Sequence, residues 1–188
     1  MKETSKASIR REKLWAFKEL YFVGSGIDIG CGRDSLSLQM SRFPKITSVM
    51  NWDKEEGDAS MMIGLKEESF DFVYSSHCLE HIIDPIKAIK KWFSLVKTKG
   101  YLIITVPDED MYEGGVFPSQ YNHDHKWTFT IFKDKSWSFR SINILDLVKG
   151  LGKLIRLDLI EDYYSPYIGE VDQTLGQAEC SIEIVIRK

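Results

Sequence analysis

A chain of 188 residues suits one domain that buries roughly 70% of its unfolded surface, and two full domains would be crowded. Its 25 Lys and Arg against 28 Asp and Glu leave a net charge of -3, with no basic field to attract phosphate backbones, so nucleic acid is a poor first partner. Cys31, Cys78 and Cys180 form no CxxC and argue against a disulfide framework or structural zinc, and no apolar run reaches the roughly 18 residues of a membrane span.

The start, MKETSKASIRREKLW, has basic residues without the apolar core of a signal peptide, so a soluble, cytoplasmic protein is expected. From Glu12 to Phe22, Leu14, Trp15, Phe17, Leu20 and Tyr21 recur at helical spacing behind a polar start expected to fray. Gly26 to Gly30 reads as a buried strand, and Asp34 to Arg42 as a helix stopped by Phe43-Pro44. Ile46 to Trp52 predicts a second strand ending at Asp53, and Asp71 to Ser75 a third. A helix follows from about Asp84, with Pro85 in its first turn and Ile86, Ile89, Trp92, Phe93 and Val96 as its apolar face. Lys97 to Gly100 closes it, and Gly100 to Pro107 is the strongest strand of the chain.

After Pro107, DEDMYEGGVFPSQYNHDHKW shows no period and many polar and aromatic residues, which marks residues 108–140 as a functional loop, a lid. Ser141 to Leu151 reads as a helix, and Leu154 to Leu159 and Ser181 to Arg187 as strands, joined through DYYSPYIGEVDQTLGQAE. Strands alternating with helices imply an α/β fold: a Rossmann-like, doubly wound, mostly parallel sheet in a single domain, ending in an antiparallel edge hairpin.

Ligands of such a sheet bind beyond the carboxyl ends of its strands, here after Gly30, Asp53, Ser75 and Pro107. Gly30 and Gly32 permit close backbone approach, although tight turns alone also need glycine. Asp53, at the end of the second strand, stands where a carboxylate accepts both hydroxyls of an adenosine ribose.

The order GIDIGCGRD, GDA, ESFDFVYSSHCLEHIIDP and VKTKGYLIITVP, across residues 26 to 107, resembles the class I S-adenosylmethionine-dependent methyltransferases, in particular their small-molecule "type 11"-like group. The resemblance implies S-adenosylmethionine as cofactor and S-adenosylhomocysteine as product. It implies that Asp28 braces the glycine turn and approaches the methionine amino group, and that Gly30, Cys31 and Gly32 pass beneath the methionine moiety. Asp53 would take the ribose, Asp58 the adenine amino group and Ala59 the adenine ring, while Ser75, Ser76 and His77 line the methionine side. Turn and capping chemistry is the other reading of Asp58 and the serines. The family's next glycine is Asp34 here, which suits a helix cap, with Arg33 near the cofactor carboxylate. Asp53 and GDA are too close to admit the usual helix and strand, so a sheet trimmed around the third strand is expected.

Methyl transfer needs an aligned nucleophile and, for a hydroxyl acceptor, a base. His77 and His81 flank a strand-to-helix transition with Glu80, and a packing or hydrogen-bonding role for His81 is preferred to a metal. His123 and His125, with Asp124 between them, follow the strand that ends at Pro107, so the lid can carry one of them over the site. His123 is the first choice of base, His125 the second, with Tyr121 and Asn122 as acceptor contacts; the alternative is that these histidines only hold the lid. Tyr112, Phe117, Tyr121 and Trp127 suit stacking on a sugar, so the expected reaction is O-methylation of a small polar acceptor, such as a sugar or phosphate-type group of a bacterial surface polysaccharide precursor. A cofactor-binding partner subunit without turnover and an NAD-type oxidoreductase remain as alternatives; against the second, the full GxGxxG is absent.

Overall fold

The strands of the computed structural model, which describes residues 2–161 and 178–188, are those whose sequence runs are apolar or alternating. β1 (Gly24–Ile29), β2 (Ile46–Trp52), β3 (Phe70–Ser76) and β4 (Val96–Pro107) lie parallel, because each connection carries the chain back to the end of the sheet where the previous strand began. β7 (Lys153–Ile160) and β8 (Ser181–Arg187) complete the six-stranded order β2-β1-β3-β4-β8-β7, with β8 antiparallel to both neighbours. The segment DYYSPYIGEVDQTLGQAE joining them lies mostly outside the described residues. Only turns connect β2 to β3, so the sheet is trimmed where a further strand was not expected to fit. The register sets Ile29 beside Trp52 and Ser75, and Ser76 beside Thr105, which brings the carboxyl ends of four strands to one level.

One face of the sheet packs Ile27, Ile29, Val73, Leu102 and Ile104 against Ile89 and Trp92 of helix α2 (Pro85–Leu95) and against Ile144 and Leu147 further along the chain. Asp84 caps α2 by accepting from the Lys87 amide, 2.9 Å, and Pro85 occupies the first turn. Ile86 stands out to solvent; Ala88 and Leu95 share the buried stripe instead. The opposite face carries an aromatic core of Phe17, Phe22, Phe43, Phe72 and Tyr74 under a π-helical turn (Phe17–Tyr21) and a 3₁₀ helix (Leu36–Arg42).

The N-terminus departs from its expectation. The polar start does not fray; it forms helix α1 (Glu3–Arg11), and the apolar stretch behind it makes only the π-helical turn. Charge pairing rather than an apolar stripe holds α1 down. Arg11, fully buried, donates from Nε to Glu183, 2.7 Å, and from its two Nη atoms to the Tyr74 hydroxyl, 2.9 Å, and the Thr105 hydroxyl, 2.7 Å. Arg10 reaches both Glu179 and Glu183, and Lys6 Nζ donates to the Ala178 carbonyl. Burial alone would raise the Glu183 pKa, but Arg11 and Arg10 hold it down at about 2.

Other boundaries shift for local reasons. Ser35, not Asp34, caps the helix after the glycine turn, its Oγ accepting from the Ser37 amide, 3.0 Å. Asp34 instead accepts from the amide and hydroxyl of Ser5, and so satisfies the first turn of α1. Lys97 to Gly100 is not a separate turn, since β4 starts directly at Val96. The expected helix from Ser141 to Leu151 divides into strand β6 (Ser141–Asn143), parallel to β5 (Thr128–Thr130), and the single-turn helix α3 (Ile144–Val148) capped by Asn143.

Candidate active site

A cleft of about 1150 Å³ opens beyond the strand ends, lined on one side by residues 53–59, at its floor by the glycine turn, and on the other side by His77, Cys78, His81, Ile82, Asp124 and Lys126. Gly30 and Gly32 have φ of 73° and 53°, and a Cβ on Gly30 would fall 2.4 Å from the Cys78 sulfur, so the turn sits directly on the loop after β3. At the end of β2, Asp53 takes one backbone amide on each oxygen, Gly32 on Oδ2 and Lys54 on Oδ1, both at 2.8 Å. Its carboxylate therefore has a fixed orientation at the cleft edge while retaining further acceptor capacity.

Beyond it, Trp52 Nε1 donates to the Gly57 carbonyl, 3.1 Å, and Trp92 Nε1 to the Ala59 carbonyl, 2.7 Å, so two indoles shape the loop that carries Asp58. Asp58 Oδ1 accepts from the Ser60 amide, 2.7 Å, and these Ser60 bonds pull its pKa down. Cys31 and the exposed Arg33 line the cleft beside the turn. Asp53, Glu55, Glu56 and Asp58 gather on the wall beyond β2 together with Lys54, while Lys126 on the opposite wall is paired with Asp124 at 3.1 Å.

Three of the sequence-derived cofactor residues lie behind this surface. Asp28 is buried and spends Oδ2 on the Leu36 amide, 2.7 Å; burial pushes its pKa up to about 7. It braces the helix start from beneath. Ser75 donates to the Ile29 carbonyl, 2.9 Å, which ties β3 to β1. Ser76 bonds His77 Nδ1 at 3.0 Å and leaves Nε2 of that imidazole buried in the cleft wall without a protein partner. His77, with φ of 52°, is kept neutral mainly by burial, its pKa lowered to about 3.

The lid folds back onto the loop after β3. The amides of Lys126 and Trp127 both point to the Glu80 carbonyl, at 2.8 and 3.3 Å, and Trp127 Nε1 donates to the Ile83 carbonyl, 3.2 Å. Glu109, buried, gathers the hydroxyls of Thr128, Ser136 and Ser141 and the Lys133 ammonium, and this knot shapes the lid. His123, the first choice of base, is exposed and lies outside the cleft lining. His125 is buried instead: Nδ1 meets Glu113 Oε1 at 2.7 Å, and Nε2 points to Glu80 Oε1, 4.0 Å away. Burial works against its proton, yet Glu113 and Glu80 outweigh it and raise the His125 pKa.

Tyr121 packs edge-on against Tyr112, and Asn122 spends its side-chain oxygen on the Asp124 amide, 3.3 Å. Tyr112 is buried against the His125 ring, and Phe117 packs on Phe139, so none of the lid aromatics faces the cleft. Sequence reasoning passed over Glu113, an acid in an aperiodic stretch, and weighed Glu80 only as a metal ligand with His77 and His81, a reading it set below packing for His81.

A family model described as "Methyltransferase domain" matches residues 3–152. No curated protein matches the chain in sequence. Among solved structures, an S-adenosylmethionine-dependent methyltransferase of Archaeoglobus fulgidus is similar at a TM-score of 0.64 and 17% identity, covering 100% of this chain and 95% of that one. A chain from the Haloferax volcanii complex that contains the Trm112 methyltransferase activator gives 0.62 and 15%, covering 98% and 88%. Haemonchus contortus phosphoethanolamine N-methyltransferase 2, solved with phosphomonomethylethanolamine and S-adenosylhomocysteine, gives 0.55 and 18%, covering 82% of this chain and 37% of that one. At these identities the solved structures speak for the fold.

Proposed function

The chain belongs to the methyltransferase domain family and is an S-adenosylmethionine-dependent methyltransferase; from that premise we propose that it methylates an oxygen of a small polar acceptor. The observation that carries the reading is the cleft itself, with a braced carboxylate at one end, a glycine floor in the middle and, at the other, His81, behind which Glu80 and His125 are buried.

The residues present fit the cofactor. His77 lines the cleft and its Nε2 is a buried polar atom without a protein partner, and Asp53 has acceptor capacity left over from its two amides. Asp53 would hold the ribose hydroxyls, Asp58 and the Ala59 backbone the adenine, the Gly30–Gly32 backbone and His77 the methionine portion, and Arg33 its carboxylate. Asp28, Ser75 and Ser76 act behind them as supports of the turn, the strand end and the His77 ring. Bound there, the cofactor supplies a methyl group on a sulfonium that departs as a neutral thioether. The chain's own task is to align the acceptor oxygen and to receive its proton. Alignment is worth about 7–11 kcal/mol and a base about 10²- to 10⁴-fold.

The proton-handling side is the cluster of Glu80, His81, His125 and Glu113, with His125 as the histidine of the lid that reaches it. A sugar or a phosphate-bearing precursor of a bacterial surface polysaccharide is the acceptor class proposed, on the polar and charged lining of the cleft. The small phosphate-bearing ligand of the Haemonchus contortus enzyme agrees with an acceptor of that size.

Calorimetry with S-adenosylmethionine, followed by S-adenosylhomocysteine release against a panel of sugar and sugar-phosphate acceptors, tests the proposal. His125→Ala should lower turnover about 10²- to 10⁴-fold with cofactor affinity retained, while His123→Ala keeps it. Equal turnover of His125→Ala and wild type removes the assignment. Tight cofactor binding without transfer to any acceptor would identify a partner subunit instead.

A further inference from the structure

Glu80 is fully buried, and neither of its carboxylate oxygens has a hydrogen-bond partner. A charged carboxylate so placed is costly unless it takes up a proton or a cation meets it. Two imidazoles turn toward it. Nε2 of His81 and Nε2 of His125 each stand 4.0 Å from Glu80 Oε1, and the three donor atoms lie within 4.8 Å of one another. Neither pair is a hydrogen bond at that distance.

The outer nitrogens of both rings are already held. His81 Nδ1 meets Asp124 Oδ2 at 3.2 Å, and His125 Nδ1 meets Glu113 Oε1 at 2.7 Å. A carboxylate behind each imidazole, with Nε2 presented forward, is how proteins orient histidines that ligate metals. The lid backbone fixes the remaining degree of freedom, because the Lys126 amide on the Glu80 carbonyl places His125 opposite Glu80.

We propose that Glu80, His81 and His125 form a binding site for one divalent transition-metal ion of the zinc type, with Glu113 and Asp124 as positioning residues. Two imidazole nitrogens and one carboxylate oxygen suit such an ion and leave a coordination position open. Ligands about 2.0–2.2 Å from a tetrahedral ion are roughly 3.4 Å apart, so each imidazole closes on Glu80 by about half an ångström from 4.0 Å on loading, and the two imidazoles close on each other from within 4.8 Å. Of the three ligands His81 lines the cleft, with Glu80 and His125 buried behind it, so an acceptor hydroxyl would reach the open position past His81. The existence of the site rests on the cluster alone. Its role rests on the methyltransferase reading above: the unloaded cluster would take the hydroxyl's proton on His125, whereas with both imidazoles ligated the ion would lower the hydroxyl's pKa and the proton would pass to solvent.

The test uses the full chain stripped with a chelator. It is titrated with Co²⁺, read by its visible ligand-field bands, and with Zn²⁺, read by calorimetry; S-adenosylmethionine binding is measured on the same samples. One ion per chain is expected, with a raised thermal midpoint. Glu80→Gln should lose the bands, and Glu113→Gln should weaken Zn²⁺ binding about 10- to 100-fold. If Glu80→Gln does not fold, His81→Ala, at a half-buried position, reads the same loss. A folded wild type that takes up neither ion, or uptake unchanged in Glu80→Gln or in His81→Ala, overturns the site. Ion uptake without cofactor binding leaves the site standing and sinks the methyltransferase reading; cofactor binding without ion uptake does the reverse.

Discussion

Replacing Glu183 by glutamine keeps the side chain's shape and removes the charge on which α1 depends. Glu183 accepts from Arg11 Nε at 2.7 Å and from Arg10 at 3.1 and 2.8 Å, and both Glu183 and Arg11 are fully buried. The glutamine oxygen can still accept, but the buried Arg11 guanidinium is left without an anionic partner, beside that amide and the hydroxyls of Tyr74 and Thr105. Breaking a buried pair from one side costs about 3–5 kcal/mol, and a domain of this size loses about 2–4 °C per kcal/mol, so the thermal midpoint should fall by about 6–20 °C. Urea unfolding followed by circular dichroism measures the free energy directly. The pH dependence gives an independent check. The Glu183 pKa is lowered from 4.5 to about 2 on folding, so its contribution is complete above 4.5 and is lost as the pH falls toward 2. That gap corresponds to roughly 3 kcal/mol. Wild type and Glu183→Gln should therefore converge in stability in acid. A loss below about 1 kcal/mol at neutral pH, the range of a surface ion pair, would refute the account of what holds α1.

Asp53→Ala should weaken S-adenosylmethionine binding about 10- to 100-fold, since hydrogen bonds to a charged group contribute about 1.5–3 kcal/mol; unchanged affinity by calorimetry would remove the ribose contact. Gly30→Ala combines a φ of 73° with a Cβ 2.4 Å from the Cys78 sulfur, and should cost about 2–5 kcal/mol in denaturant melts. A variant within 1 kcal/mol of wild type would show that the turn can rebuild without glycine.

Patterns carried by neighbours along the chain were legible before the structure. β2 and β8 fall where alternation and apolar runs put them, and Asp84-Pro85 starts α2 as its capping chemistry implies. The trimmed sheet followed from the short distance between Asp53 and GDA, and the glycine turn and Asp53 meet at one cleft because strand ends are where parallel sheets gather residues. What escaped was set by partners far along the chain. No periodicity marks ETSKASIRR as a buried helix, because its anchor, Glu183, lies at the other end of the sequence. The choice between His123 and His125 turned on Glu113 and on the Glu80 carbonyl, neither of which local spacing relates to them. Alternation said that only one of the two would face inward, and only tertiary contacts could say which.

Asp34, which stands where a third glycine was missed, gives both carboxylate oxygens to Ser5. Two residues away, Gly32 donates to Asp53. The docking of the first helix and the shape of the cofactor turn are therefore expected to be coupled through residues 32–34. By reciprocity, whatever free energy a ligand on that turn adds to the docked state must also appear as resistance of the helix to undocking, so hydrogen exchange in residues 3–11 becomes a remote gauge of occupancy at the glycines.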